Sequence, residues 1–379
     1  MSHPTPPNNA PIAGRATPES TQRYAARFAG RSAAGHFREM AGGMWASSIG
    51  IGTYLGEPDA ATDRGYTESV VAAVQGGFNL VDSAINYRFQ RSERSIGAAL
   101  KRLTSLGFSR DEIVLCTKAG FLTPDNEMPE DPNDYFAREY LSRQLFRPED
   151  IAQGCHCLAP AFLADQIERS RRNLGVACVD VFYLHNPETQ LPEVTREEFR
   201  GRIAAAFALL ESAAGEGKIG AYGLATWNAF REDPKTPSYL SLEEMVSIAR
   251  EAAGQDHHFR FVQLPFNLAM PEALTLPNQI VTGKTMAMVQ AARALGITLI
   301  SSAALLQGQL TKKLPPYVEA ALGLHNNAAL ALQFARSAPG ITTALTGMSH
   351  VEHVTANLAL AGIEPAHRDQ FLKLFGPHS

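Results

Sequence analysis

The sequence has little of what marks secreted, membrane-spanning or nucleic-acid-binding proteins. Only four cysteines occur in 379 residues, too few for a disulfide framework, so we expect a reducing compartment. The net charge of −4 offers no basic field for nucleic acid or for a polybasic membrane contact. No run approaches the ~20 apolar residues of a transmembrane helix, and the N-terminus lacks the basic and apolar segments of a secretory signal. These absences predict a soluble, cytoplasmic protein.

Short apolar runs alternate with amphipathic stretches along most of the chain. The runs are strand-like and cover 47–52, 78–82, 113–118, 179–185, 219–225, 259–265, 297–302 and 341–346. The stretches with helical spacing cover 67–75, 92–103, 163–174, 199–215, 242–253, 285–295 and 326–337. This alternation predicts an α/β fold, the (β/α)8 or TIM barrel. A doubly wound open sheet is the alternative, but no G-x-G-x-x-G follows a predicted strand, and the barrel is favoured.

The composition divides the chain into three regions. We predict a flexible, Pro-rich N-terminal extension over 1–44, the barrel over 45–364 and a short C-terminal tail over 365–379. A long insertion at 121–160 follows the third strand, and a shorter one at 227–241 follows the fifth. Both leave the carboxyl ends of strands, where loops of this length commonly form lids or substrate walls.

Ionisable side chains stand at or just after the ends of three successive predicted strands. Asp82 ends the second strand and Tyr87 follows it, whereas Lys118 and His185 end the third and fourth. Because the carboxyl ends of parallel barrel strands meet at one rim, we expect these side chains to lie together. There Lys118 would stabilise the phenolate of Tyr87, and Asp82 would keep the lysine charged and in place. Tyr87 would then donate a proton to a carbonyl oxygen that His185 orients.

A proton donor of this kind reduces a carbonyl only if a hydride donor is also present. Proteins supply no hydride themselves, so the four side chains together imply a nicotinamide cofactor. Each residue taken singly also has a structural interpretation, as a loop cap, a solvated strand end or a turn residue. Their complementary chemistry at adjacent strand ends favours the catalytic interpretation.

The run Cys155, His156 and Cys157 raises the question of a metal site. A closed zinc site requires four ligands, usually as two separated pairs, and C-x-C supplies half of one. No second Cys or His pair stands nearby in the sequence. We therefore predict no metal site.

The segments that carry these residues resemble the aldo-keto reductase family. Residues 77–87 followed by 92–97 look like the family's signature, and 114–118 and 181–187 resemble its third- and fourth-strand motifs. The similarity extends over about 45–360. It implies a (β/α)8 barrel that binds NADP(H) across its rim and reduces aldehydes or ketones. By the same likeness, the family's Asp, Tyr, Lys and His tetrad falls on Asp82, Tyr87, Lys118 and His185.

The resemblance also implies a set of cofactor-binding residues. Among them, Gln263 and Thr226 would bind the carboxamide, Leu305, Gly308 and Leu310 the pyrophosphate side, and Asn357 the adenine. Relatives often have a serine where this chain has Ala225, and an aromatic ring where it has Ser302. The full implied set is Thr53, Thr226, Gln263, Ser302, Leu305, Gly308, Leu310, Gly347, Ser349, His353 and Asn357.

The choice between NADP(H) and NAD(H) depends on the eighth predicted strand and the helix after it. A 2′-phosphate is usually bound by Arg or Lys, and the run 347–353 contains neither. Ser349, a histidine and the N-terminus of the following helix could still hold a phosphate. The family favours NADP(H), and these residues leave NAD(H) open. Because the tail is short, we expect the substrate walls to come from 121–160 and Tyr54, beside His185.

Two other functions fit the same residues. A nicotinamide-binding regulatory or redox-sensing subunit of this fold could retain the whole tetrad. A barrel lyase could use Lys118 as a Schiff-base amine, although Asp82 would keep that lysine charged rather than nucleophilic. The leading prediction remains a reductase of a small-molecule carbonyl substrate.

Overall fold

Eight parallel strands pair in chain order and close into a barrel in a computed structural model that describes residues 10–375. The last strand pairs with the first, which leaves no open edge. Each predicted strand lies within two residues of its expected bounds, and the predicted barrel is confirmed. The strands are β1 (Ile49–Gly52), β2 (Leu80–Asp82), β3 (Val114–Ala119), β4 (Val179–His185), β5 (Ile219–Ala225), β6 (Phe259–Pro265), β7 (Thr298–Ser302) and β8 (Ile341–Gly347).

Helices return the chain between the strands and surround the barrel. Several begin at a capping side chain, as where Asp59 accepts a hydrogen bond from the Thr62 backbone N–H at 2.7 Å. The predicted helix 285–295 begins only at Met288, because Lys284–Met286 pairs with Gln279–Val281 in a hairpin. The α-helices are Pro18–Arg27, Ala60–Gly76, Arg91–Ser105, Pro132–Phe136, Pro160–Leu174, Arg196–Gly215, Leu242–Ala253, Glu272–Thr275, Met288–Leu295, Pro316–Leu322, Asn327–Ser337, Val351–Leu358 and Arg368–Leu372.

The N-terminal region differs from the flexible extension expected over 1–44. Its described part contains the helix Pro18–Arg27 and the strand Phe37–Glu39, which pairs with Trp45–Ser47. Ala16 and Met40 are buried against the inward-facing side chains of the barrel. Apolar burial therefore orders this segment, which closes the barrel at the end opposite the strands' carboxyl termini. Residues 1–9 and 376–379 lie outside the described part, and so do the corresponding ends of the predicted extension and tail.

The insertion over 121–160 folds against the barrel as a small unit of its own. It contains the helix Pro132–Phe136, a turn of π-helix at Ala137–Leu141 and a hairpin of Ile151–Ala152 with His156–Cys157. Tyr140 is fully buried and donates a hydrogen bond to the Thr123 carbonyl at 2.7 Å. The insertion is thus anchored by its own core. Within residues 10–375, no helix combines the length and apolar character that a membrane crossing requires.

A buried carboxylate on β4 forms hydrogen bonds to three other segments at the closed end of the barrel. Asp180 accepts hydrogen bonds from the Arg110 guanidinium at 2.7 Å, the Leu115 N–H at 2.7 Å and the Ala16 N–H at 2.6 Å. Both side chains of the Arg110–Asp180 pair are almost fully buried. Loss of one partner would leave the other charge buried without its counter-ion.

We expect Asp180→Ala to lower the free energy of unfolding by ~3–5 kcal/mol, the usual cost of breaking a buried ion pair from one side. The matched control is Glu251→Ala, which breaks the exposed Arg200–Glu251 pair with its 2.6 Å contact. That change should cost much less, because solvent screens the attraction between these exposed charges. Denaturant titration of both variants checks the prediction, and equal losses would contradict it.

Candidate active site

A cavity of about 1130 Å³ opens at the carboxyl ends of the barrel strands. Its wall includes the last residues of six strands: Gly52, Asp82, His185, Ala225, Ser302 and Gly347. Pockets for small ligands usually measure ~300–1,000 Å³, so this one has room for an extended ligand and a second small molecule. The position agrees with the rim at which barrel active sites form.

Asp82, Tyr87 and His185 of the predicted tetrad line this cavity, and Lys118 lies immediately behind them. The Lys118 ammonium donates to the Asp82 carboxylate at 2.5 Å and to the Ser83 carbonyl at 2.6 Å. It also lies 5.0 Å from the centroid of the Tyr87 ring. The His185 ring centroid is 5.9 Å from that of Tyr87. The four side chains therefore form one group, with the phenol and the imidazole toward the cavity.

Electrostatics at this group maintain a charged lysine. Burial lowers the pKa of Lys118, but the Asp82 carboxylate outweighs this effect, and the pKa lies above its usual value. Burial raises the pKa of the Asp82 carboxyl, against the opposing effects of Lys118 and Gln263. Burial also raises the pKa of Tyr87, and the nearby ammonium of Lys118 opposes this rise. Tyr87 therefore carries its proton, and the Lys118 ammonium lies where it can stabilise the phenolate that forms when this proton leaves.

The imidazole of His185 is held in its neutral form. Burial, followed by the positive charge of Lys118, lowers its pKa well below the usual value. Its ring packs edge-on against Phe121, with centroids 5.2 Å apart. The buried Nδ1 has no hydrogen-bond partner within the protein. A neutral ring of this kind can donate from one nitrogen to a bound oxygen.

A strained turn positions Tyr87 above the end of β2. The next three residues, Arg88, Phe89 and Gln90, all have left-handed backbone conformations, with φ of 48°, 55° and 68°. Such conformations cost ~1–2 kcal/mol per non-glycine residue, so surrounding contacts must hold them. Arg88 donates to the Asp63 carboxylate at 2.6 Å, and the Phe89 carbonyl accepts from the Asn126 N–H at 2.9 Å. The second of these contacts comes from the insertion.

Most of the residues implied as cofactor-binding line the same cavity. Leu310 does not line it, although Thr311 of the same short turn of 3₁₀-helix (Gln309–Thr311) does. Gln263 lines it but already donates to the Asp82 carboxylate at 2.8 Å, so the amide has a structural partner as well. The residues in the wall are Thr53, Thr226, Gln263, Ser302, Leu305, Gly308, Gly347, Ser349, His353 and Asn357, together with Tyr54.

Several buried polar atoms of the wall have no hydrogen-bond partner within the protein. They are the hydroxyl oxygens of Thr226 and Thr346, the side-chain oxygen of Asn86 and Nδ1 of His185. An unpaired buried polar group costs ~1–3 kcal/mol, so a polar ligand that pairs with them gains that energy on binding. Thr226 directly follows β5 and Thr346 is the penultimate residue of β8, so both hydroxyls lie at the rim. The residues present fit a dinucleotide.

The cavity wall, as far as the described residues form it, contains no permanent cation. Its polar residues include Ser349, His353, Asn357 and His325. Among the described residues that line the cavity, none is Arg or Lys. The lack of Arg and Lys in residues 347–353 is therefore shared by the rest of the described cavity wall.

Asn86 and His325 are among the wall residues that the sequence did not single out, whereas Phe121 and Trp227 begin the two predicted insertions. Phe121 and Trp227 follow the ends of β3 and β5 closely, and this position past a strand end was the available signal. Trp227 is 41% exposed and Tyr54 is 53% exposed, so both rings are open to a ligand at the mouth. Their exposure gives the mouth an aromatic surface.

The C-x-C segment contributes hydrogen bonds rather than a ligand cluster. Cys155 is exposed, Cys157 is buried, and His156 bonds to protein atoms on both ring nitrogens. Within the described part of the chain, no three His, Cys, Asp or Glu side chains are placed to hold a metal ion.

Comparison with known proteins decides the family. A sequence profile described as the Aldo/keto reductase family matches residues 48–317. The chain belongs to this family. The match begins at the start of the barrel and ends in the helix Pro316–Leu322 between β7 and β8, so it covers most of the domain and confirms the resemblance inferred above.

Curated relatives of this aldo-keto reductase match over shorter stretches. The aldo-keto reductase YhdN of Bacillus subtilis is 28% identical over 172 residues, 43% of each chain. A D-threo-aldose 1-dehydrogenase from a Pseudomonas species is 31% identical over 160 residues, 41% of this chain and 42% of its own. An NADH-specific methylglyoxal reductase of Escherichia coli is 28% identical over 188 residues, 48% and 49%. The chain therefore spans less than half the length of these curated relatives.

Solved structures match over nearly the whole chain. A holo aldo-keto reductase from Bacillus halodurans has a TM-score of 0.60 at 17% identity, covering 89% of this chain and 95% of its own. An aldo/keto reductase from Klebsiella pneumoniae, in complex with NADP and acetate, has a TM-score of 0.59 at 18% identity, covering 91% and 96%. At these identities the likeness supports the fold alone.

Proposed function

We propose that this aldo-keto reductase catalyses the nicotinamide-dependent reduction of an aldehyde or ketone to an alcohol, with Tyr87 as the general acid. The observation that carries the proposal is the buried Lys118–Asp82 pair beside the Tyr87 ring at the floor of the rim cavity. A reduced nicotinamide bound across the rim would supply the hydride. Thr226, Gln263, Ser349, His353 and Asn357 line the cavity in which it would bind.

The protein's own part in this reaction is to move one proton and to hold the carbonyl. Tyr87 donates the phenolic proton to the carbonyl oxygen, and the Lys118 ammonium stabilises the phenolate that remains. Asp82 keeps Lys118 charged through the 2.5 Å contact. His185, which is neutral, donates a hydrogen bond to the same carbonyl oxygen and so orients it. Tyr54, Phe121 and Trp227 form the aromatic mouth, which supports an apolar or aromatic carbonyl compound as substrate.

We propose NADP(H) as the cofactor, with NAD(H) as an alternative that the wall residues support. The Klebsiella neighbour carries NADP, whereas one curated relative is NADH-specific. A 2′-phosphate near Ser349 would meet histidines and a helix N-terminus instead of Arg or Lys. A charge-assisted hydrogen bond contributes ~1.5–3 kcal/mol, and each tenfold in affinity corresponds to ~1.4 kcal/mol. Without such a bond, preference for NADPH should be weaker by roughly one to two orders of magnitude.

We expect Ser349→Arg to tighten NADPH binding by about tenfold to a hundredfold and to leave NADH binding nearly unchanged, since only NADPH carries the 2′-phosphate. Ser349→Gln is the matched control, because it adds length without charge and should favour neither cofactor. Dissociation constants from fluorescence quenching of the wild type and both variants check the expectation. A wild type that already prefers NADPH by more than about a thousandfold would mean that a basic residue elsewhere binds the phosphate.

The direct test of the function follows the loss of absorbance from NADPH or NADH when an aromatic aldehyde is added. Turnover that requires both the aldehyde and the reduced cofactor supports the proposal. Tight cofactor binding without turnover on a panel of aldehydes, ketones and sugars would instead support the regulatory or redox-sensing subunit.

The environment of Lys118 opposes the Schiff-base alternative. Its ammonium is almost fully buried, lies against the Asp82 carboxylate and has a raised pKa, so little free amine exists near neutral pH. Borohydride treatment in the presence of an aldehyde should therefore leave Lys118 unmodified, as peptide mass analysis would show. A trapped adduct on this lysine would favour the lyase.

A further inference from the structure

The insertion over 121–160 reaches the catalytic group through one buried histidine. His156, on the insertion's hairpin, donates from Nε2 to the backbone carbonyl of His185 at 2.8 Å. The Gln190 amide donates to Nδ1 of His156 at 2.8 Å and to its carbonyl at 3.0 Å. Because Nδ1 accepts this bond, the proton of the neutral ring lies on Nε2, where the His185 carbonyl requires it. Arg202 donates in turn to the Gln190 side-chain oxygen.

The peptide bond after His185 is thereby held from both sides. Its carbonyl accepts from His156, and its N–H, that of Asn186, donates to the Ala225 carbonyl at 2.6 Å. Asn186 has a left-handed backbone with φ of 48°, so the chain turns sharply where the catalytic side chain leaves it. The direction of the His185 ring depends on this peptide, because the ring's own Nδ1 has no partner within the protein.

Close packing surrounds the hydrogen bond between His156 and the His185 carbonyl. The Phe121 ring lies edge-on between the two imidazoles, 4.9 Å from His156 and 5.2 Å from His185 by ring centroids. A Cβ on Gly120 would lie 2.7 Å from Nε2 of His156 and 2.8 Å from the His185 carbonyl oxygen. Only glycine at 120 therefore permits the hydrogen bond, and this residue directly follows β3, the strand of Lys118.

We propose that His156 is a positioning residue: by holding the His185 carbonyl it sets the orientation of the His185 imidazole, and it makes the insertion part of the catalytic centre. The expected effect on kcat rests on the proposed function, whereas the orientation of the His185 ring can be tested without it. Burial lowers the pKa of His156 to about 4, so its donor and acceptor nitrogens keep their roles throughout the neutral range. Misplacement of a catalytic group by ~1 Å can cost about a hundredfold in rate.

The test compares His156→Leu, which removes the donor, with His156→Gln, whose amide can both donate to His185 and accept from Gln190. We expect His156→Leu to lower kcat by about tenfold to a hundredfold with the dissociation constant of NADPH nearly unchanged. His156→Gln should recover most of this loss. The NMR signal of the His185 ring, assigned with His185→Gln, should move in His156→Leu and stay close to its wild-type position in His156→Gln.

A second buried histidine provides the matched control. His36 is fully buried, has a pKa lowered by burial to about 4 and bonds through Nε2 to the Gly77 carbonyl at 3.2 Å. It lies at the closed end of the barrel, among Phe37 and Phe78. His36→Leu should lower the free energy of unfolding while kcat and the His185 signal stay unchanged.

Three outcomes would overturn the proposal, and a fourth separates it from the proposed function. A His156→Leu variant with wild-type kcat and an unmoved His185 signal would overturn it, as would a loss that His156→Gln fails to recover. If His156→Leu does not fold, Gly120→Ala displaces the same contact by steric pressure and should move the His185 signal; an unmoved signal would again overturn the proposal. If the wild type reduces no carbonyl, the proposed function fails, and the NMR comparison still decides the positioning role.

Discussion

Tyr87→Phe is expected to abolish carbonyl reduction while leaving nicotinamide binding nearly intact. The change removes the phenolic oxygen and its transferable proton but keeps the ring that packs 4.9 Å from Tyr54 and 5.9 Å from His185. Loss of a general acid costs ~10²–10⁴ in turnover. Steady-state turnover and the dissociation constant of NADPH, measured on the same preparation, check both parts of the prediction.

The control for Tyr87→Phe is Tyr24→Phe, which also removes a buried hydroxyl. Tyr24 donates to the Val74 carbonyl at 2.5 Å between the N-terminal helix and the helix Ala60–Gly76, away from the cavity. Its loss should reduce stability and leave kcat unchanged. If Tyr87→Phe kept more than about a tenth of wild-type turnover, another group would have to be the acid.

The barrel was predictable from the sequence because its signals are local. Each strand buries both faces, so it appears as a short continuous apolar run. The N-terminal region was the exception. Its Pro-rich start suggested flexibility, yet Tyr24 and Phe28 are buried against the barrel's outer helices and Met40 against its interior. Thr21, Tyr24 and Phe28 recur at helical spacing, so the helix itself had a signal in the sequence. Its packing partners are distant in sequence and were visible only in three dimensions.

The site was predictable in part for the same reason. Asp82, Lys118 and His185 end or adjoin strands that lie side by side, and the barrel topology alone brings them to one rim. The contacts of the insertion were not predictable, because nothing in the run of residues 155–157 indicates that its histidine meets the carbonyl of His185 across 29 positions. The double role of Gln263, which lines the cavity and binds Asp82, is equally a property of the closed barrel.

Lys118→Met should lower reductase turnover about as much as Tyr87→Phe, and the double variant should be little worse than either. The reason is that the Lys118 ammonium, 5.0 Å from the centroid of the Tyr87 ring, acts on proton donation through the Tyr87 phenol. Without this cation, burial acts unopposed on the pKa of Tyr87 and makes proton donation harder. Residues that act as one unit give strongly non-additive losses.

The measurement is a double-mutant cycle on kcat/KM for one aromatic aldehyde at saturating NADPH. Lys218→Met serves as the control, because Lys218 is a partly exposed lysine whose ammonium pairs with Glu216 at 2.7 Å and Glu168 at 3.1 Å outside the cavity. It should keep wild-type turnover, which would show that loss of a lysine charge alone has no effect. Since Lys118→Met also leaves Asp82 buried without its cation, thermal unfolding of each variant must show that it is folded at the assay temperature. If the loss of kcat/KM in the double variant equalled the product of the two single losses, Lys118 and Tyr87 would act independently. Another group would then have to stabilise the phenolate of Tyr87.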